Sequence, residues 1–212
     1  MGMNSQSTFP SSRRGFTLIG LLLAFALVVI VVVALGTLTA SIFRASRSSK
    51  ERFIATALAR EGVELVRSLR DDNWFSTPRG TTSIKWRGDS AGTTDERRRA
   101  ICNGTWIIDV EDPRLRAPAG ASAEGELFLA SGSGDTVYGH TAGGSPTIYR
   151  RRITITTGGT GSGDCGESVT PTQSPRPNPV LVTSRVEWRE RPTDPLLSLD
   201  LHQRLYDWVR QR

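Results

Sequence analysis

Two cysteines and two histidines are the residues in this chain best suited to nucleophilic or metal chemistry: Cys102, Cys165, His140 and His202. A cysteine nucleophile needs a histidine base within hydrogen-bonding reach. A zinc site of these residue types usually contains a close pair such as Cys-x-x-Cys, which the sequence lacks. We therefore expect no metal site and no cofactor, and we expect both histidines to lie at the surface.

Cys165 lies in Gly-Asp-Cys-Gly at residues 163–166, which resembles the nucleophile loop of chymotrypsin-like cysteine proteases. The only histidine before it, His140, is too close in sequence for the usual order of that fold, and the C-terminal part of the chain is too short for two barrels. We expect a loop cysteine and no enzyme. If this part is exported, Cys102 and Cys165 can form a disulfide that stabilises the fold by about 4 kcal/mol in the chain-entropy model. Two unpaired thiols are the alternative.

The charge of the chain is basic, with a formal net charge of +6. Its tight basic clusters are the arginines at residues 97–99 and 150–152. Such clusters are typical of solvated faces, and we expect that here. The alternative is an anionic partner such as nucleic acid.

One long segment, residues 16–43, contains no charged residue. It is about 28 residues long, whereas about 20 suffice to span a bilayer and a signal-peptide core has roughly 7–15. The segment therefore predicts a membrane-spanning helix. Arg13 and Arg14 precede it, but residues 44–52 are also basic, so counting charges does not fix the orientation.

The helix is expected to continue to about residue 73, because apolar residues recur at helical spacing in Ile54, Leu58, Leu65 and Leu69. Oppositely charged residues four apart predict the surface pairs Arg60–Glu64 and Arg67–Asp71. The expected organisation is a leader at 1–15, a transmembrane half of the helix at 16–43, a half outside the bilayer at 44–75, whose export only the family resemblance given below implies, and a β-rich head at 76–212.

A short apolar run predicts a strand at 127–130, and period-two alternation predicts strands near residues 106–110, 151–156, 180–189 and 197–201. The last two predict an antiparallel hairpin with one face on the helix, and residues 158–179 predict a loop. The expected fold is α+β, with a long N-terminal transmembrane α-helix packed against a small antiparallel β-sheet. We expect four tryptophans to fill the core between them or to anchor the sheet edges, with stacking on nucleic-acid bases as the alternative: Trp86, Trp106, Trp188 and Trp208.

Residues 13–22, Arg-Arg-Gly-Phe-Thr-Leu-Ile-Gly-Leu-Leu, resemble the leader of type IV prepilins. Residues 57–75 also look like the second half of the helix in minor pilins. The resemblance implies cleavage between Gly15 and Phe16 by prepilin peptidase, and N-methylation of Phe16. It implies that Arg13 and Arg14 hold the leader at the cytoplasmic face. The implied partners are the peptidase, other pilin or pseudopilin subunits, and the inner membrane before assembly.

Gly20 departs from the family pattern, which usually has glutamate at the fifth position of the mature chain. That glutamate is thought to pair with the N-terminal ammonium of a neighbouring subunit, and an unpaired buried charge is costly. A subunit at the tip has no neighbour ahead whose N-terminal amine needs neutralising, so Gly20 indicates a minor, tip-located or initiating subunit. Loss of the glutamate by drift is the alternative.

The function implied by the resemblance is a structural subunit of a type IV pilus or a type II secretion pseudopilus. The implied location is a single-pass inner-membrane protein with an exported C-terminal head, later part of an extracellular or periplasmic fibre. The arginine clusters leave a DNA-binding subunit for DNA uptake as the alternative. An anchored enzyme is disfavoured because the sequence offers no catalytic set.

Overall fold

A computed structural model describes residues 18–76, 86–88, 100–119, 124–132, 135–157, 179–191 and 193–206. The leader, Gly15, Phe16, Cys165, Trp208 and nearly all of the expected 158–179 loop lie outside these residues. The chain divides into two compact units, an N-terminal unit, Met1–Ser49, and a head unit, Lys50–Arg212.

The first element is α1, a single α-helix of 59 residues from Leu18 to Ser76. Its length and apolar composition are sufficient to cross a membrane. A signal sequence near the N-terminus meets the same criterion of length and composition. A helix satisfies its backbone hydrogen bonds internally, which any segment in lipid must do. The expected continuation of the helix to about residue 73 is confirmed.

In the head unit, one face of α1 is buried against the rest of the unit. Leu58 and Leu69 are buried and Ile54 and Leu65 are half-buried, which confirms the predicted apolar stripe. The predicted surface pairs are wrong. Glu64 accepts from Arg67 at 3.0 Å, and Asp71 lies 2.7 Å from Arg70. Helix positions three and four apart are almost equally close, so spacing alone does not select Arg60 over Arg67 as the partner of Glu64.

The described residues contain six strands: β1 Gly104–Trp106, β2 Glu126–Gly132, β3 Asp135–Gly139, β4 Ser145–Thr156, β5 Val180–Trp188 and β6 Leu197–Leu205. They form one antiparallel sheet in the order β3-β2-β4-β5-β6, with β1 also paired to β4. The hairpin of β5 and β6 pairs Val180 with Leu205 and Trp188 with Leu197, as predicted. The α+β arrangement of one long N-terminal helix and an antiparallel sheet is therefore confirmed.

The strand predicted at 106–110 lies earlier in the chain, at residues 104–106, so only Trp106 of the predicted range belongs to β1. β1 ends at Trp106, and Ile107 forms an isolated bridge with Arg116. Asp109 is then buried while Val110 is 49% exposed, the reverse of the predicted alternation. Because β1 ends at Trp106, the two-residue alternation of a β-strand no longer determines which of the following side chains point inward.

The inner face of the sheet packs on α1 over a close approach at Gly62. A Cβ added there would lie 2.7 Å from Ser184 Oγ and 2.8 Å from Ile153 Cδ1. Glycine therefore lets the helix sit close to β4 and β5. Trp86 and Trp188 are buried and Trp106 is partly buried in this core, as expected.

Candidate functional site

The apolar first half of α1 is the first candidate site. Every large apolar side chain from Leu18 to Phe43 is exposed, from 48% at Val29 to 76% at Ile19. A charge-free surface of this size is stable only in lipid or against other apolar helices. It is therefore a candidate surface for insertion into a membrane or for packing against other apolar helices.

The hydroxyl groups in this half are satisfied by the helix itself. Thr37 donates to the carbonyl oxygen of Ala34 at 2.8 Å, and Thr39 donates to that of Leu35 at 2.8 Å. These bonds need no water, so the segment is compatible with a bilayer. A Cβ at Gly36 would meet nothing within 4 Å, so nothing within this chain requires glycine there.

The predicted processing residues Arg13, Arg14, Gly15 and Phe16 lie outside the described part of the chain, and their roles stay predictions. Gly20 is described and lies near the start of α1, half-buried. The boundaries drawn at residues 15, 43 and 75 also stay predictions.

The second candidate is Arg151, whose side chain is fully buried in β4. Its Nη1 donates to Glu61 Oε1 at 2.7 Å and to the carbonyl oxygen of Leu58 at 3.3 Å, both on α1. Its Nη2 donates to the carbonyl oxygen of Ile108 at 2.8 Å. One side chain thus joins α1, β4 and the segment after β1. The expected solvated face at 150–152 is wrong for this residue.

Asp109 and His140 extend this buried arginine network. The Nδ1 of His140 lies 2.5 Å from Asp109 Oδ1, and its Nε2 lies 3.1 Å from the carbonyl oxygen of Arg151. Burial by itself raises the pKa of Asp109, but hydrogen bonds and charge from His140, together with the Arg116 guanidinium, hold that pKa below its usual value. His140 is buried, 3% exposed, so the surface position expected for it is wrong.

The network joins parts of the head unit. Each ring nitrogen of His140 lies within hydrogen-bonding distance of a carboxylate or a backbone carbonyl oxygen. The described residues contain no group of three metal-ligating side chains. A signal for the network was present in the sequence, since Arg151 alternates in phase with Ile153 and Ile155 and so belongs to the inner face of β4.

The outer face of the sheet carries an open polar cleft of about 390 Å³, lined by Thr105, Arg152, Thr154, Thr183, Arg185, Asp200 and His202. Arg185 binds Asp200 through two bonds of 2.7 Å, and this pairing raises the pKa of Arg185 and lowers that of Asp200. Arg152 pairs with Glu187 at 2.8 Å. Both arginines of the cleft are thus paired with carboxylates on the same face of the sheet.

Cys102 is buried and carries no free thiol. Its expected partner, Cys165, lies outside the described residues, so their pairing stays a prediction. The carbonyl oxygen of Cys102 accepts from the indole of Trp106 at 2.9 Å. This bond joins the segment before β1 to the core.

A family model described as the prokaryotic N-terminal methylation motif matches residues 10–36. The match spans the predicted cleavage site and the first part of α1, and it ends well before the head. No curated protein and no solved structure matches the chain.

Proposed function

We propose that this chain, a type IV pilin-like protein, is a structural fibre subunit and not an enzyme. The observation that carries the proposal is the methylation motif at residues 10–36, which runs into a helix whose large apolar side chains are all exposed from Leu18 to Phe43. In a fibre, that surface would leave the bilayer and pack against the helices of neighbouring subunits. The inner membrane would hold the subunit before assembly.

Prepilin peptidase is the proposed processing enzyme, cutting between Gly15 and Phe16. The absence of a side chain at Gly15 would let the extended backbone enter a narrow site. The test is mass spectrometry of the N-terminus of protein purified from fibres or membranes. N-methyl-Phe16 is expected, and a chain that retains Met1 or Gly2 would overturn the proposal. Gly15→Val should leave uncleaved precursor in the membrane.

Within the fibre, we place the chain at the tip or at initiation. Support comes from Gly20, which offers no carboxylate to a neighbour's N-terminal ammonium. The fibre would be a type IV pilus or a type II secretion pseudopilus. A gene deletion separates these two alternatives. Loss of surface fibres alone would indicate a pilus, and loss of protein secretion alone would indicate a pseudopilus.

A DNA-binding subunit is the second candidate. It draws on the arginines of the outer sheet face, among them Arg152, Arg185 and Arg204. Arg152 and Arg185 are already paired with acids, which favours the purely structural role. A DNA-binding assay across a salt series would decide, because phosphate contacts weaken steeply as salt rises.

A further inference from the structure

One end of the head unit lies beside its first helical turn. Tyr149 donates its hydroxyl to the carbonyl oxygen of Glu51 at 3.4 Å, which brings β4 to that turn. Trp188 and Leu197 end β5 and begin β6, and both pack in the core cluster that contains Ala55. The turn that joins β5 to β6 therefore lies at the Lys50 end of the head.

Exposed apolar side chains gather at this end. Phe53 is 77% exposed, Ile148 45% and Leu196 43%. Phe53 lies on the face of α1 away from the sheet, whereas Ile148 and Leu196 lie beside the β5–β6 turn. Apolar groups thus occur on both sides of this end, which suits insertion into a surface rather than contact with one narrow groove.

Basic side chains surround these apolar groups. Arg52, Arg189 and Arg191 are all exposed, whereas the acids of the same turn, Glu190 and Asp194, are half-buried. The combination of exposed apolar and basic groups is typical of a membrane interface. We call this end the basal surface, made of Phe53, Ile148, Leu196, Arg52, Arg189 and Arg191.

We propose that the basal surface rests on an anionic lipid bilayer before the subunit is assembled. Only six residues lie between Phe43, at the end of the charge-free segment, and Lys50, a chain length of at most about 25 Å. Each basic side chain near an anionic surface strengthens binding about fivefold. The proposal rests on the membrane anchoring proposed above, and it implies that docking competes with entry into a fibre.

A matched pair of variants separates this surface from general charge effects. Arg189→Glu with Leu196→Ser changes the basal end of the hairpin. Arg204→Glu with Tyr206→Ser makes the same kind of change at its opposite end, where Tyr206 is 36% exposed. The two sites are about 25 Å apart along β6.

The experiment measures amide hydrogen exchange of residues 189–196 in the full chain, reconstituted in phosphatidylcholine vesicles with and without phosphatidylglycerol. Exchange should be slower in the anionic vesicles than in the neutral ones. This slowing should be at least about fivefold larger for the wild type than for the Arg189→Glu, Leu196→Ser variant. High salt should remove the effect, and the opposite-end variant should behave as wild type.

Equal exchange of the wild type in both kinds of vesicle would overturn the proposal. Protection that depends on protein density and not on lipid charge would also overturn it, because a second copy would then cover the surface. Processing and fibre incorporation are measured separately. A chain that docks on anionic lipid but enters no fibre would refute the proposed function alone.

Discussion

Arg151 and Glu61 form an ion pair between the sheet and α1, with 2.7 Å from Nη1 to Oε1, although the arginine is completely buried. A buried charge is tolerated only when its partners replace water. Here they come from Glu61, Leu58 and Ile108, so the pair fixes the helix and the segment after β1 against β4.

Removing Arg151 should therefore destabilise the head strongly. We expect Arg151→Met to lower the free energy of unfolding by about 3–5 kcal/mol, because Glu61 and nearby Asp109 lose a buried partner. Urea unfolding of the full chain in detergent, followed by tryptophan fluorescence, measures it. The control is Arg185→Met on the exposed outer face, which should cost no more than about 1 kcal/mol. Equal effects of the two variants would contradict the structural role of Arg151.

The carboxylate of Asp109 should make the head sensitive to acid. Its pKa is lowered in the folded state, so its contribution to stability is present above the unfolded pKa of about 3.9. That contribution is lost as the pH falls through the folded pKa. Asp109→Asn should be less stable near neutral pH and should flatten the acid side of the stability curve. An unchanged acid slope in this variant, from urea midpoints across pH, would refute the assignment.

Gly62 should tolerate no side chain. Gly62→Ala places a Cβ within 3 Å of Ser184 and Ile153, and overpacking of this kind costs about 1–3 kcal/mol despite the better helix propensity of alanine. Gly36→Ala is the matched control, since its Cβ meets nothing and the head should keep its stability. The same unfolding assay compares the two variants. If Gly62→Ala left the free energy of unfolding unchanged, the helix would not pack on the sheet as closely as described.

Gly20→Glu should test the position of the subunit in the fibre. An acidic residue costs about 2.5–3.5 kcal/mol at mid-membrane and less near the interface, unless a neighbour's ammonium lies close. A tip subunit has no such neighbour ahead, so the variant should not increase the number of copies of this subunit in each fibre. Counting copies per fibre by immunogold labelling checks this. More copies along the shaft in the variant would refute the tip position and favour drift from an internal one.

Cys102 and Cys165 should form a disulfide in the exported head. Alkylation of the purified, unreduced chain should label neither thiol, and reduction should expose both. Cys165→Ser should lower the free energy of unfolding by a few kcal/mol. Full labelling of both thiols without reduction would contradict the pairing.

The sequence alone determined those features that depend on neighbours along the chain. The charge-free segment, the stripe through Leu58 and Leu69, and the alternation in β5 and β6 are local periodicities, and the helix and hairpin they predict are present. The leader motif is likewise read from consecutive residues.

The alternation in β4 placed Arg151 on the inner face, but only the tertiary structure decided its partners and the places of Asp109 and His140. Their types favour the surface because burying a charge without a partner is costly. The partners are supplied by Glu61, which is 90 positions from Arg151, and by contacts between His140 and Asp109, which are 31 apart. No local pattern contains these separations, so the folded chain alone makes burial of these groups favourable.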